Sequence, residues 1–132
     1  MSATIDLNGT WKLSWPPIDG ASDVPECVAP IDGAVPGDVH VDMIGAGLLP
    51  EPLVGANCPK HEWAERAVFS YERDVVVDSP FQRAELVFHG LDCLAEVLSD
   101  GQIVGSSANA FVPHAFDVTS FVRQGERHEL LV

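Results

Sequence analysis

Basic residues are scarce in this sequence. Its 132 residues include 7 lysines and arginines against 20 aspartates and glutamates, which gives a formal net charge of −13. Nucleic-acid binding requires clustered positive charge that neutralises phosphates, and anionic membrane surfaces attract basic segments. The composition therefore predicts neither a nucleic-acid nor a membrane partner.

Long apolar runs and a secretory signal are also lacking. No run approaches the ~20 residues that span a bilayer, and Met1–Asp6 has neither the basic nor the apolar region of a signal peptide. Three cysteines, Cys27, Cys58 and Cys93, cannot all pair with one another. An odd number without a signal favours free thiols in a reducing compartment, so we expect a cytoplasmic location.

Metal-binding patterns are weak. Cys58 and His61 have a C-x-x-H spacing, but zinc needs three or four ligands and no second pair lies close in sequence. Asp6, Asp32 and Asp117 carry the oxygen ligands that calcium prefers, yet they are scattered along the chain. We therefore predict no metal and no cofactor.

Short segments of alternating apolar and polar residues dominate the chain, which is typical of strands. Helix is limited to residues 39–46, with Asp38 as N-cap, and one turn at 119–123. Asp100-Gly101 is suited to a tight hairpin. The pattern predicts an all-β fold, an antiparallel β-sandwich or barrel with one or two short helices. The predicted strands are 11–15, 65–77, 82–89, 94–98, 102–105, 112–117 and 128–132.

The same alternation predicts which side chains form the core. They are the apolar residues on one face of each strand, and we expect these to be largely buried: Trp11, Leu13, Phe69, Tyr71, Leu86, Phe88, Val97, Phe111 and Phe116.

Eight short motifs stand in order along nearly the whole chain. They are Leu7–Leu13, Val35–Asp42, Leu48–Pro52, Asn57 with Trp63, Phe88–Asp92, Leu98–Gly101, Asn109–Phe111 and Phe116–Thr119. Together they resemble the amino-terminal domain of family-two glycoside hydrolases, with its LNG-x-W, VPG-x-VH-x-D, IPDP, F-x-GLD, LNG, N-x-F and FDVT motifs. The VPGDVHVD segment resembles the β-mannosidase branch. Cys93, Ser99-Asp100 and Phe69 depart from the family's threonine, asparagine and tryptophan.

The resemblance implies a jelly-roll β-sandwich, related to galactose-binding-like modules, that packs against a separate (β/α)₈ catalytic barrel. Such a barrel needs about 250 residues, and in this family both catalytic carboxylates lie on it. We therefore predict no catalytic residue in this chain. We expect one domain over residues 1–132, belonging to a β-mannosidase-like O-glycosyl hydrolase but unable to hydrolyse a glycoside by itself. The strand at 128–132 leaves the sandwich unfinished, so we expect an incomplete domain.

Five residues are the candidates for sugar contact: Asn57, Glu62, Trp63, Asp92 and Asn109. An exposed indole can stack on the apolar face of a pyranose, and Trp63 lies near Asn57 and Glu62 in sequence. Alternatively, Trp63 anchors its loop or packs against the barrel. Asp92 starts a loop after a strand, where an Asx turn is the alternative, and Asn109 is suited to a positive-φ turn.

Three functions remain open: an accessory domain that buttresses and shapes the cleft of a glycoside hydrolase, a free lectin-like carbohydrate-binding module, and a structural interaction domain. A lectin presents several exposed aromatics, whereas most aromatics here occupy core-facing positions, which favours the accessory domain. The expected partners are the parent's catalytic barrel and, weakly, carbohydrate. Because open sheet edges recruit other strands, we also predict a homo-oligomer.

Overall fold

The computed structural model describes residues 2–21 and 23–132, and within them it has eight strands and two short helices. One helix is α1, Val39–Gly45, and the other is a 3₁₀ helix, Cys58–Arg66. The strands are β1 Gly9–Ser14, β2 Ile31–Val35, β3 Ser70–Val76, β4 Glu85–Phe88, β5 Ala95–Ser99, β6 Gln102–Ser107, β7 His114–Asp117 and β8 Arg127–Leu131. The predicted all-β fold with one or two short helices is confirmed.

The chain divides into two compact units. One spans Asp6–Tyr71, and the other comprises Glu72–Val132 with the residues before Asp6, so the boundary falls within β3. No helix among the described residues has the length and apolar character to cross a membrane.

The Asp6–Tyr71 unit consists of the β1–β2 antiparallel pair and the two helices. Gly9 to Leu13 pair with Val35 to Ile31. Asp38 caps α1 as predicted, because its carboxylate accepts hydrogen bonds from His40 N at 2.8 Å and Val41 N at 3.4 Å. These bonds satisfy amide groups that would otherwise lack partners at the start of a helix.

Large side chains form the core of this unit. Leu13 and Met43 are fully buried, and they cluster with Trp15, Leu49 and Trp63. Burial of side chains of this size contributes about 1.5–3 kcal/mol each before entropy is counted. The core therefore joins β1, α1 and the 3₁₀ helix.

Gly33 explains why β2 was missed in the sequence. An added Cβ there would lie 2.8 Å from Tyr71 Cε1, so only glycine allows the tyrosine ring to approach the strand. The Tyr71 hydroxyl donates to Asp42 Oδ2 at 3.3 Å. Burial, together with the nearby Asp42 carboxylate, raises the pKa of Tyr71 well above its ordinary value.

The second unit is a sandwich of two antiparallel sheets. Strand β8 pairs with β3 and β5, and β5 pairs with β6, while β4 and β7 form a separate pair. Where β6 faces β7, a Cβ added to Gly105 would lie 2.2 Å from the Phe116 ring. This close approach brings the two sheets into contact.

The β5–β6 hairpin turns through Asp100 and Gly101, as predicted. Their φ angles are 49° and 78°, which is the left-handed geometry of the tightest hairpins. Asp100 has the single positive φ among the described non-glycine residues. The prediction that Asn109 lies at a positive-φ turn is therefore wrong.

Two further expectations are corrected. Phe111 is 96 % exposed and does not fill the sandwich; it lies in a turn in which its N–H donates to Asn109 Oδ1 at 2.9 Å. Residues 65–69 do not extend β3, because the 3₁₀ helix runs to Arg66. The remaining predicted core side chains are buried or half-buried.

Candidate functional site

The 3₁₀ helix and the segment before it carry three of the five candidate residues. Asn57 precedes the helix, and Glu62 and Trp63 lie within it. Its buried residues are His61 and Trp63, while Glu62 between them is exposed.

Trp63 is buried, so the expectation of an exposed stacking platform is wrong. The side chain is 4 % exposed, and its ring centroid lies 5.9 Å from that of Phe69. Its Nε1 has no hydrogen-bond partner among the described residues. The indole therefore anchors the 3₁₀ helix in the core, which is the alternative open from the sequence.

Asn57 fixes the segment that leads into the 3₁₀ helix. Its Nδ2 donates to the Glu51 carbonyl oxygen at 3.1 Å, and its Oδ1 accepts from Lys60 Nζ at 3.2 Å. Both polar atoms of the amide thus have partners within the chain. Glu62 has an exposed carboxylate that contacts none of the described residues by a hydrogen bond or ion pair.

Asp92 and Asn109 lie in the other compact unit, on two loops that adjoin. A Cβ added to Gly90 would lie 4.0 Å from the Ala110 carbonyl oxygen, and Ser107 Oγ donates to the Cys93 carbonyl oxygen at 3.4 Å. Asp92 is exposed, and its carboxylate forms no hydrogen bond within residues 2–21 and 23–132, so the Asx turn weighed there does not form. The loop of Asp92 thus lies beside the loop that carries Asn109 and the exposed Phe111.

A histidine pair was not predicted as a site. His40 Nδ1 and His61 Nδ1 lie 3.0 Å apart, and His61 Nε2 lies 2.8 Å from the Pro50 carbonyl oxygen. In the sequence, His61 is notable for its spacing from Cys58, and His40 belongs to the Val35–Asp42 motif. The two rings are 21 positions apart in sequence, so only the tertiary fold reveals the contact.

Asp100 and the buried His128 form a second polar contact. His128 is 4 % exposed. Its Nδ1 lies 2.7 Å from Asp100 Oδ2, and its Nε2 accepts from Arg123 N at 2.8 Å. A hydrolase triad uses such an Asp–His pair, but with a free Nε2 as base. Here Arg123 N occupies that atom, so the pair is structural.

The charged residues considered for metal binding have other partners. Asp6 accepts from Asn8 N, and Lys12 pairs with Asp32. Hydrogen bonds from Thr119 lower the pKa of Asp117. The structure describes no group of three or more histidine, cysteine, aspartate or glutamate side chains arranged for a metal ion within residues 2–21 and 23–132. The three cysteines are free thiols.

A shallow open cleft of about 550 Å³ lies between β2 and α1. Its polar lining comes from Asp32 and Asp42. Asp32 pairs with Lys12, and Asp42 accepts from Ala34 N at 3.1 Å and from the Tyr71 hydroxyl. Both carboxylates therefore have partners within their own unit.

The chain is similar to a known family and to known proteins. A family model described as glycosyl hydrolase 2 galactose-binding domain-like matches residues 11–132. β-Mannosidase B of Thermothelomyces thermophilus is 37 % identical over 100 residues, which cover 74 % of this chain and 12 % of that protein. The chain therefore spans a small part of the relatives it matches.

Solved structures show the same fold. The β-D-mannosidase of Dictyoglomus thermophilum superposes with a TM-score of 0.82 at 27 % identity, over 96 % of this chain and 15 % of that chain. The exo-chitosanase of Amycolatopsis orientalis gives a TM-score of 0.74 at 18 % identity, over 93 % of this chain and 15 % of that one. The second likeness concerns the fold alone. The predicted galactose-binding-like sandwich is confirmed.

Proposed function

Because the chain belongs to the glycosyl hydrolase 2 galactose-binding domain-like family, we propose that it buttresses and shapes the cleft of a β-mannosidase-like glycoside hydrolase. The observation that carries the proposal is the similarity to β-mannosidases, in which this domain accounts for 12 % of the Thermothelomyces protein and 15 % of the Dictyoglomus chain. A (β/α)₈ barrel takes about 250 residues, and the rest of such a protein has room for one.

The geometry supports a role without catalysis in this chain. Retaining glycosidases need two carboxyl groups about 5 Å apart that face the sugar. Here Asp42 and Asp117 bind groups of their own unit, and Asp100 binds His128 and Glu129 N. His128 has no free ring nitrogen for a proton transfer. We therefore propose that hydrolysis takes place on the barrel of the parent enzyme.

An assay with a chromogenic aryl β-mannoside tests this proposal. The purified chain is expected to give no turnover above buffer. Turnover that persists after rigorous purification and disappears on substitution of one acidic residue of this chain would contradict it.

A carbohydrate-binding module is the second candidate, and Phe111 is the observation that favours it. The ring is 96 % exposed and belongs to the same loop as Asn109. A phenyl ring can stack on the apolar face of a pyranose, and such contacts contribute about 1 kcal/mol. The alternative explanation is that Phe111 contacts another part of the parent enzyme.

Titration calorimetry with mannose and manno-oligosaccharides separates these roles. For an accessory domain, we expect millimolar or no binding. Micromolar binding that Phe111→Ala abolishes would support the lectin-like module. The matched control is Leu53→Ala, because Leu53 is also a large apolar residue, is 89 % exposed and lies in the other compact unit. Its replacement should leave sugar binding unchanged. Self-association and the cellular location both stay predictions.

A further inference from the structure

The His40–His61 contact links two elements of the Asp6–Tyr71 unit. His40 lies in the first turn of α1 and is half-buried, and His61 lies in the 3₁₀ helix and is 8 % exposed. Their Nδ1 atoms are 3.0 Å apart, and their ring centroids are 5.2 Å apart. A nitrogen–nitrogen distance of this size is a hydrogen bond, so one Nδ1 donates and the other accepts.

The Pro50 carbonyl oxygen decides how the protons are arranged. A carbonyl oxygen only accepts, so His61 Nε2, which lies 2.8 Å from it, carries a hydrogen. A neutral His61 then has its lone pair on Nδ1, and His40 Nδ1 must be the donor. The Nε2 of His40 remains without a hydrogen in the neutral pair. This arrangement uses every polar atom of the buried His61 ring.

The pair can accept one proton without breaking. A proton added to His40 Nε2 leaves both hydrogen bonds intact, as does a charged His61 that donates from Nδ1 to a neutral His40. With both rings charged, two N–H groups and two positive charges would face each other at 3.0 Å. The contact between the rings cannot then persist.

No other charged group in the described part of the chain forms a hydrogen bond or ion pair that relieves that repulsion. Among the described residues, none of the neighbouring titratable side chains forms a hydrogen bond or ion pair with either ring. The Asp38 carboxylate accepts from His40 N and Val41 N, and Lys60 donates to Asn57 Oδ1. Besides the two histidines, the titratable side chains on α1, its N-cap, the 3₁₀ helix and the adjoining segments are Asp23, Asp38, Asp42, Glu51, Cys58, Lys60, Glu62, Glu65 and Arg66.

We infer that the His40–His61 hydrogen bond is an acid-sensitive contact between α1 and the 3₁₀ helix. The contact persists when the pair binds one proton and breaks when it binds the second. Trp63 follows His61 by two positions and lies buried in the core. Breaking the contact therefore loosens the segment that carries Asn57, Glu62 and Trp63. This inference stands independently of the proposed function.

The stability of three variants across pH tests the inference. His40→Asn retains an N–H near the position of Nδ1, and its amide can rotate to accept from a charged His61, so this variant lacks the conflict between two charges. His40→Ala removes the contact at every pH. The control is His89→Asn, because His89 is exposed and forms no hydrogen bond with the described residues.

The expected result follows from the number of protons. In an unfolded chain both imidazoles titrate near ~6.5, so the unfolded chain binds one proton more than the folded pair in acid, and stability falls as the pH falls. Between pH 8 and pH 5.5, the unfolding equilibrium constant of the wild type should rise by up to about tenfold more than that of His40→Asn. His89→Asn should follow the wild type.

Equal pH dependence of the wild type and His40→Asn, within twofold, would overturn the inference. If a variant does not fold, nitrogen-15 correlation spectra of the wild-type histidine rings give the answer alone. At pH 8 they should show His40 protonated at Nδ1 and His61 at Nε2. Two rings that both carry their hydrogen at Nε2 would also overturn it. Hydrogen exchange is the last measurement. At pH 5.5, after correction for intrinsic rates, the amides of residues 58–66 should exchange faster in the wild type than in His40→Asn.

Discussion

Different interactions hold the two compact units together. In Asp6–Tyr71 a single strand pair and two short helices are joined by the side chains around Leu13. In Glu72–Val132 the elements are connected by backbone hydrogen bonds between paired strands. The two sheets meet where the Phe116 ring approaches the backbone of Gly105. The first unit should therefore respond most to loss of side-chain volume, and the second to added volume at the sheet contacts.

Removing core volume from the Asp6–Tyr71 unit should have the largest effect. Leu13 is fully buried, so Leu13→Ala should lower the free energy of unfolding by about 2–5 kcal/mol. Urea denaturation measures this change. Leu53 is 89 % exposed in the same unit, and Leu53→Ala should stay within about 0.5 kcal/mol. A cost below about 1 kcal/mol for Leu13→Ala would mean that this core is not what joins the unit.

Adding one methyl group at Gly105 should be the next largest effect. The new Cβ would lie 2.2–2.3 Å from the Phe116 ring, which forces the sheets or the ring to move, and overpacking costs about 1–3 kcal/mol. Gly90→Ala is the matched control, because its Cβ would meet nothing closer than 4.0 Å. A double variant with Phe116→Leu should recover part of the loss. Additive effects of Gly105→Ala and Phe116→Leu would show that the two residues are not in contact.

The same contrast explains what the sequence could predict. Side chains in a strand alternate every two residues, so the Glu72–Val132 strands follow from alternation, and the Asp100-Gly101 turn follows from residue types that adopt positive φ. In the other unit, β2 contains a glycine that faces Tyr71, and a strand without a side chain at its centre shows no alternation. The 3₁₀ helix ends at Arg66, and the apolar alternation of Ala67, Phe69 and Tyr71 continues that of β3, so the sequence predicts a strand from residue 65.

The candidate site shows the same limit. Asn57, Glu62 and Trp63 share one segment, as their sequence proximity predicts, but sequence cannot tell whether an indole faces solvent or a core. The exposed Phe111 lies in a turn in which its N–H donates to Asn109 Oδ1, and alternation does not reveal that turn. The His40–His61 and Asp100–His128 contacts link residues 21 and 28 positions apart, and no local pattern encodes such pairs.

Ser99 offers a smaller test, and one of opposite sign. Its side chain is 1 % exposed, and its hydroxyl has no hydrogen-bond partner among the described residues. A buried hydroxyl without a partner costs free energy that alanine avoids at almost the same volume. Ser99→Ala should therefore be neutral or stabilise by up to about 1 kcal/mol, measured by urea denaturation beside the exposed Ser106→Ala. A clear loss of stability would show that an ordered water bonds the hydroxyl.

The smallest expected effect is a pH dependence at the turn that ties the β5–β6 hairpin to β8. The hydrogen bond from His128 and then that from Glu129 N lower the pKa of Asp100. A carboxyl whose folded pKa lies below its unfolded value near ~3.9 contributes stability that is present above that value and lost as the pH falls through the folded pKa. Asp100→Asn should therefore be less stable than the wild type at pH 7. The difference in stability between the two proteins should decrease between pH 5 and pH 2, as measured by thermal unfolding. The half-exposed carboxylate keeps the difference in stability small, because solvent screens its charge.

Asp92→Asn, at an exposed carboxylate without a hydrogen bond to the described residues, should show no difference from the wild type at any pH. A difference for Asp100→Asn that stays constant down to pH 2 would mean that the turn depends on the shape of the side chain and not on its charge.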